Sequence, residues 1–265
     1  FLNVMSRSQQ LLFLVHLVSC FIPDIPHPIF LPHGPQGSGK SSFLRTVRAI
    51  TDPSLTPLLS LPKGAKQMVQ QLEHHWTPMY DNLSSISKEQ SDLLCRAVTG
   101  EGSSTRMLWT DDEDLIRTYR RCISINGINI VAEQPDLLDR SILYGLDRIG
   151  DKDRRTETDL LQRFERVKPE VLGAVFDAVA RAQAIYPSIG KESLPLPRMA
   201  DFALWGCAIA EALGHEKQEF LDAYNRNIQA QHLEALHSDP VGAVLLDFME
   251  LREFWKGSPT ELFIQ

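Results

Sequence analysis

Cysteine is scarce in this chain: four residues in 265, Cys20, Cys95, Cys122 and Cys207, lie far from one another. No C-x-x-C pair and no histidine at zinc-finger spacing accompanies them. This excludes a disulfide scaffold and a small zinc module, and leaves buried thiols in a reducing, cytoplasmic setting as the expectation. Positive charge is also short, the formal net charge being −7. A nucleic-acid partner would need a local basic patch, because the field of the whole molecule repels phosphate. No apolar run reaches the roughly 20 residues that a bilayer-spanning helix needs, so no membrane partner is expected. The nearest candidate, residues 11–22, follows Arg7 in the manner of a secretory leader but is interrupted by His16 and Ser19. A helix over residues 1–25 packed on a following core is the better reading. Internal repeats and low-complexity tracts are missing too. What remains is ordinary for a folded protein, 43% hydrophobic and 23% charged, which excludes general disorder. Phe1 at the start and Leu262-Phe263-Ile264 near the end read as cuts through something longer, with residues 254–265 opening a further segment.

The most specific feature is Gly34-Pro35-Gln36-Gly37-Ser38-Gly39-Lys40-Ser41, followed by Ser42. It fits the phosphate-loop pattern G-x-x-x-x-G-K-[ST] at every fixed position. Glycines let a tight loop turn its N–H groups onto phosphate oxygens, Lys40 reaches the β- and γ-phosphates, and Ser41 ligates Mg²⁺. The flanks agree. Ile29-Phe30-Leu31 suits a buried strand, and residues 41–50 suit a helix whose N-terminal dipole favours an anion. ATP and Mg²⁺ are the expected ligands.

Further along, residues 57–61 are a candidate second strand and residues 65–75 a helix. Residues 76–80 form a third segment ending in Asp81, although Pro78 weakens it. Residues 88–98 read as a helix ended by the Gly100-Glu101-Gly102 cluster. Residues 105–109 and 115–119 flank Thr110-Asp111-Asp112-Glu113-Asp114, which predicts a hairpin with an acidic tip. Residues 123–130 predict a buried strand carrying Asn126, residues 136–140 a helical turn and residues 142–146 a last strand. The charge run over residues 150–159 reads as a linker. Beyond it the pattern is helical, at residues 160–179, 199–213, 216–236 and 241–254. An α/β core over residues 26–150 followed by a helical bundle over residues 151–253 is the architecture this succession predicts.

Taken in order, the phosphate loop, Asp81, the Asn126 strand, Arg140 and the downstream helices resemble the AAA+ ATPases. Tyr80-Asp81-Asn82-Leu83-Ser84, Cys95-Arg96-Ala97-Val98-Thr99-Gly100 and Ile125-Asn126-Gly127-Ile128 resemble helicase-like ATPases of phages, plasmids and integrated mobile elements. The resemblance covers about residues 26–214. It implies a three-layer P-loop core with a C-terminal helical lid, ATP hydrolysis, assembly of copies into a ring or oligomer, and work on DNA as a replicative helicase or its loader. By the same resemblance Asp81 is the Walker B carboxylate holding Mg²⁺ and Asn126 the polar residue that orients the attacking water. Arg140 is an arginine finger lent to a neighbouring subunit, and Arg198 an arginine that reaches back to the nucleotide. Surface pairing of Arg140 with Asp136 or Asp139, and a solvated Arg198, are the competing readings. The chain departs from the family in two ways. Asn82 stands where many members carry a glutamate that polarises water, so either Asp81 serves both roles or hydrolysis is slow. The hairpin resembles that of superfamily-3 helicases, yet its acidic tip would repel DNA.

Other features have plainer readings. His74-His75 point apart on a helix and favour a solvated end over a metal pair. Trp76, Trp109, Trp205 and Trp255 read as packing, and Arg117, Arg120 and Arg121 as the best basic group for DNA or a subunit. Two further functions stay open: a nucleotide-dependent switch or assembly module with weak hydrolysis, and, less well supported, a small-molecule kinase.

Overall fold

A computed structural model describes residues 3, 6–100, 103–106, 114–117, 120–127, 134–190, 196–238, 240–250, 252–258 and 260. Helix α1 (Arg7–Ser19) precedes β1 (Ile29–His33), α2 (Lys40–Thr51), α3 (Ala65–His74), β2 (Met79–Leu83) and α4 (Lys88–Thr99). There follow β3 (Ser103–Arg106), β4 (Asp114–Arg117), β5 (Ser124–Gly127), the single turn α5 (Pro135–Leu138) and β6 (Ser141–Gly145). Among the described residues four more α-helices follow: α6 (Glu157–Ile185), α7 (Ala200–Ala212), α8 (Lys217–Ser238) and α9 (Pro240–Met249).

Local chemistry starts and stops these elements where a physical reason exists. Helix α4 opens on a reciprocal capping box, Ser87 Oγ accepting from the Gln90 N–H and Gln90 Oε1 from the Ser87 N–H, and it closes on Gly100 in the left-handed conformation. Helix α1 is apolar nearly all round and is correspondingly buried, packing on α6, α7 and α8. Its Phe13 and His16 meet Phe30, Phe43 and Tyr144, so that one aromatic cluster joins α1, β1, α2 and β6. Burial there holds His16 down to about 3, and burial likewise holds His27 down to about 4.

Strands β2, β5, β1 and β6, in that spatial order, form a parallel sheet, making this an α/β fold. From β1 the chain crosses to one side to make β2 and later returns to make β6 on the other. The loop after β1 therefore leaves the sheet at its topological switch point, where ligands bind in open α/β folds. Pro32 widens that place. The Phe30 N–H donates to Ile123 O on the β5 side at 2.8 Å. Two residues on, Pro32 has no N–H to offer to the same side. The β1–β5 ladder accordingly stops at Phe30, while β1 stays paired with β6 through His33.

The other edge of β6 is closed by side chains. Asn227 of α8 accepts from the Leu143 N–H at 3.0 Å and donates to Leu143 O at 2.7 Å, as a neighbouring strand would. Gln231, one turn on, donates to Ser141 O. An edge that would otherwise invite another strand is thereby capped.

Several expectations change. Residues 57–61 make a single parallel bridge, Leu59 to Tyr80, because Pro57 and Pro62 bound the segment and supply no donors. The supposed linker at 150–159 is instead folded against the loop, and Thr156 Oγ1 accepts from the Asp159 N–H to start α6 at Glu157. The hairpin strands lie two residues or so earlier than expected, and its tip at 110–113 falls outside the described residues, as do Trp109 and residues 128–130. The last helix stops at Met249 rather than at residue 254. Among the described residues no helix is long and apolar enough to cross a membrane.

Candidate functional site

Residues 34–39 leave β1 and turn sharply into α2. A side chain at Gly34 would place its Cβ 2.1 Å from Leu146 O, so only glycine lets the loop pass beneath the end of β6. Gly39, at φ 85°, caps α2 in the left-handed region without a side-chain acceptor, which leaves the first N–H groups of the helix available. Such a terminus attracts an anion through both those donors and the helix dipole.

Three side chains converge beside it. Ser41, in the first turn of α2, donates from Oγ to Asp81 Oδ1 at 3.0 Å. Asp81 reaches that position because β2 is irregular between Tyr80 and Leu83, with Asn82 at φ 57°, and a bulge of this kind re-aims the neighbouring side chain. Asn126 comes from the middle of β5 and accepts the Asn82 N–H on Oδ1 at 3.1 Å. Its Nδ2 is buried and has no hydrogen-bond partner. Lys40 Nζ folds back on the loop, donating to Gly34 O at 2.7 Å and Pro35 O at 3.1 Å. Burial lowers the Lys40 pKa, and the Asp81 charge opposes that shift. Lys40, Ser41, Asp81, Asn82 and Asn126, together with the loop at Gln36, Gly37, Ser38 and Gly39 and with Ser42, line a cavity of about 500 Å³.

This arrangement suits a polyphosphate and a hard cation. Asn126 Nδ2 and Ser38 Oγ are buried polar atoms without hydrogen-bond partners, on residues that line the cavity. A hydroxyl and a carboxylate 3.0 Å apart are oxygen donors of the type Mg²⁺ takes alongside its own waters. Among the described residues no cluster of three or more His, Cys, Asp or Glu side chains could hold a metal by itself.

Arg140 and Arg198 are not brought to this cavity. Ser141 begins β6 opposite Ile29, and the Ile29 N–H donates to Arg140 O, so Arg140 lies at the end of the sheet away from the loop. The four residue steps of β1 separate the two ends by roughly 13 Å. There Arg140 pairs with Asp136, and Arg198 bridges Asp136 and Asp139. The hydrogen bond from Arg140 holds the Asp136 carboxyl below its usual range, with Arg198 adding to the effect. Contact between Arg198 and its own chain's loop, as the sequence suggests, is not part of this arrangement, because Asp136 and Asp139 hold its guanidinium.

Other expected contacts resolve similarly. Arg120 donates to Thr99 O and Asp24 O, and Arg121 to Leu72 O, Arg120 O and Glu73 O. These two arginines tie loops together and are not presented as a basic patch; the Arg117 side chain lies outside the described residues. His75 pairs with Arg48 at 2.9 Å while His74 is exposed, so they do not converge on a metal. Trp76 donates to Cys20 O, Trp205 stacks on Tyr186, and Trp255 packs on Phe248, all packing roles.

Sequence reasoning missed a second cavity of about 480 Å³ on the opposite flank of the loop, where Ser38, Gly39 and Ser42 face Ile149, Arg154, Arg155, Leu160 and Arg163. Its walls come from the charge run read as a linker. The available signal was Thr156 three residues before Asp159, an N-cap pattern that starts a helix there and presses the preceding residues onto the loop.

A family model described as actinomycete integrative conjugative element replication protein matches residues 1–231 of this chain. No curated protein matches it in sequence. A solved structure of JCV helicase, bound to a thiazolopyridinyl phenoxyphenyl acetamide, is similar at 11% identity over 80% of this chain and 68% of that one. Its TM-score of 0.37 makes the likeness too loose to argue from.

Proposed function

The chain belongs to the actinomycete integrative conjugative element replication protein family, and from that premise we propose that it is an ATP-hydrolysing AAA+ protein acting in DNA replication, of the helicase or helicase-loader type. The observation that carries this reading is the meeting of Ser41, Asp81 and the unpartnered Asn126 amide in one cavity at the N-terminus of α2.

Each residue has a task in hydrolysis. The loop N–H groups and Lys40, swung from Gly34 O and Pro35 O, bind the β- and γ-phosphates. Ser41 and Asp81 hold Mg²⁺, which when bound neutralises charge on the phosphate oxygens. Asn126, fixed through Oδ1 by the Asn82 N–H, turns its Nδ2 toward the reacting end and orients water or a γ-phosphate oxygen. The flank with Ile149 and Leu160 receives the nucleoside. Because Arg140 lies at the far end of the sheet from its own loop, the proposed role for it is toward a neighbouring copy's loop, with an oligomer as the proposed working form.

A second reading, a nucleotide-dependent assembly module with slow turnover, is favoured by one feature. Asn82 follows Asp81 in place of a carboxylate and is held in the left-handed conformation, so the residue next to Asp81 supplies no second base.

Measuring ATP turnover with and without single- and double-stranded DNA, together with oligomer mass, separates the readings. DNA-stimulated turnover that Lys40→Ala abolishes is the expected result. Tight binding with turnover indifferent to DNA would favour the assembly module, and unaltered turnover in Lys40→Ala would remove both.

A further inference from the structure

We propose that Arg154 is a nucleotide-binding residue, its guanidinium closing the loop from the flank opposite Asp81 and donating to the phosphate nearest the nucleoside. The inference rests on the triphosphate reading above and adds to it a residue outside the loop motif.

Position is the first argument. A Cβ built on Gly37 would stand 3.5 Å from Arg154 Nη2, in van der Waals contact, so the guanidinium lies close beside the loop backbone. The Ile149 N–H donates to Gly37 O at 3.2 Å and fixes the segment that carries Arg154. The two cavities flanking the loop share Ser38, Gly39 and Ser42. A single molecule laid over those residues would reach both, its terminal phosphate beside Asp81 and Asn126 and its nucleoside end beside Arg154. The buried, unpartnered Ser38 Oγ sits on that shared rim.

Availability is the second. Three arginines line the nucleoside flank, but Asp159 accepts from Arg163 Nε at 2.9 Å on one oxygen and from Arg155 Nη1 at 3.4 Å on the other. Among the described residues Arg154 pairs with Asp151, three residues earlier, at 3.1 Å, with the two side chains 48% and 84% exposed. An exposed pair of that kind is weak. A phosphate offers the planar fork a stronger, charge-assisted and bidentate partner.

The test is titration of the full chain with ATP and with ADP, for the unaltered protein and for Arg154→Ala, Arg154→Lys and Asp151→Ala. Arg154→Ala is expected to weaken both nucleotides by the same factor, about 10-fold to 100-fold for a lost hydrogen bond to a charged group. Arg154→Lys recovers part of it, and Asp151→Ala binds as well as or better than the unaltered chain. Unchanged binding in Arg154→Ala would overturn the proposal. A loss confined to ATP would place the arginine at the γ-phosphate and overturn the assignment. Weakened binding in Asp151→Ala would show that the ion pair shapes the loop, and would overturn it too. Full nucleotide affinity in Lys40→Ala is a separate result that removes the triphosphate reading itself.

Discussion

Arg198 donates to Asp136 at 2.8 Å and also pairs with Asp139, so the turn α5 and the segment leading into α7 meet through an arginine at the end of the sheet away from the Lys40 loop. The hydrogen bond that Arg198 donates to Asp139 raises the Arg198 pKa, with the one to Asp136 adding to it, as expected of a cation held by two carboxylates. Arg198→Ala should leave ATP affinity within about 2-fold and lower stability by about 1 kcal/mol or less, the ordinary value of an exposed pair. Nucleotide titration and a thermal melt check this. A 10-fold loss of affinity would return Arg198 to the nucleotide.

Asn126→Ala removes the amide whose Nδ2 is buried and unpartnered on a residue that lines the cavity. Turnover should fall about 100-fold while ATP binding is retained, since a donor aimed at the reacting end acts chiefly in the transition state. Equal losses in turnover and affinity would make Asn126 a plain binding residue.

Arg140→Ala should bind ATP normally and turn it over about 1,000-fold more slowly. Mixed with Lys40→Ala, it should regain part of the activity, because each variant supplies what the other lacks. Mixtures no more active than their components would leave Arg140 as the partner of Asp136 and nothing more.

How much of this is legible in the chain depends on whether the cue is local. Gly34, Gly37, Gly39, Lys40 and Ser41 are contiguous and can be read directly. Asp81 and Asn126 are legible as acidic and amide residues on apolar strands, yet the bulge at Asn82 that aims Asp81 is not. Arg154 reads as one member of a solvated charge run, and its approach to Gly37 depends on where β6 ends in space. Arg198 misleads for the same reason: being near a helix start says nothing of which end of the sheet that helix meets.

His16 and His27 are buried, with folded pKa values lowered to about 3 and about 4 from 6.5. Unfolding therefore takes up protons below pH 6.5. Stability is complete above that value and falls as the pH drops toward 4, by about 1.4 kcal/mol per pH unit for each histidine. Thermal melts between pH 7 and pH 5 should show the decline, and His27→Asn should make it about half as steep, His16 keeping its own share. An equally steep decline in that variant would assign the effect to other groups.

Asn227→Ala leaves the Leu143 N–H and C=O without partners on the β6 edge. A loss of about 2–4 kcal/mol follows from two buried unsatisfied groups, lowering the melting temperature by about 5–10 °C in a chain of this size. A melting temperature within about a degree of the unaltered protein would mean that water or α8 itself repairs the edge.

That same amide bears on how copies of this chain can meet. With Asn227 and Gln231 occupying the outer side of β6, neighbouring molecules cannot continue one another's sheet there. Any contact between copies at this edge would have to be made by side chains, and side-chain contacts can be broken and remade, whereas a row of backbone hydrogen bonds would weld copies into a fixed fibre.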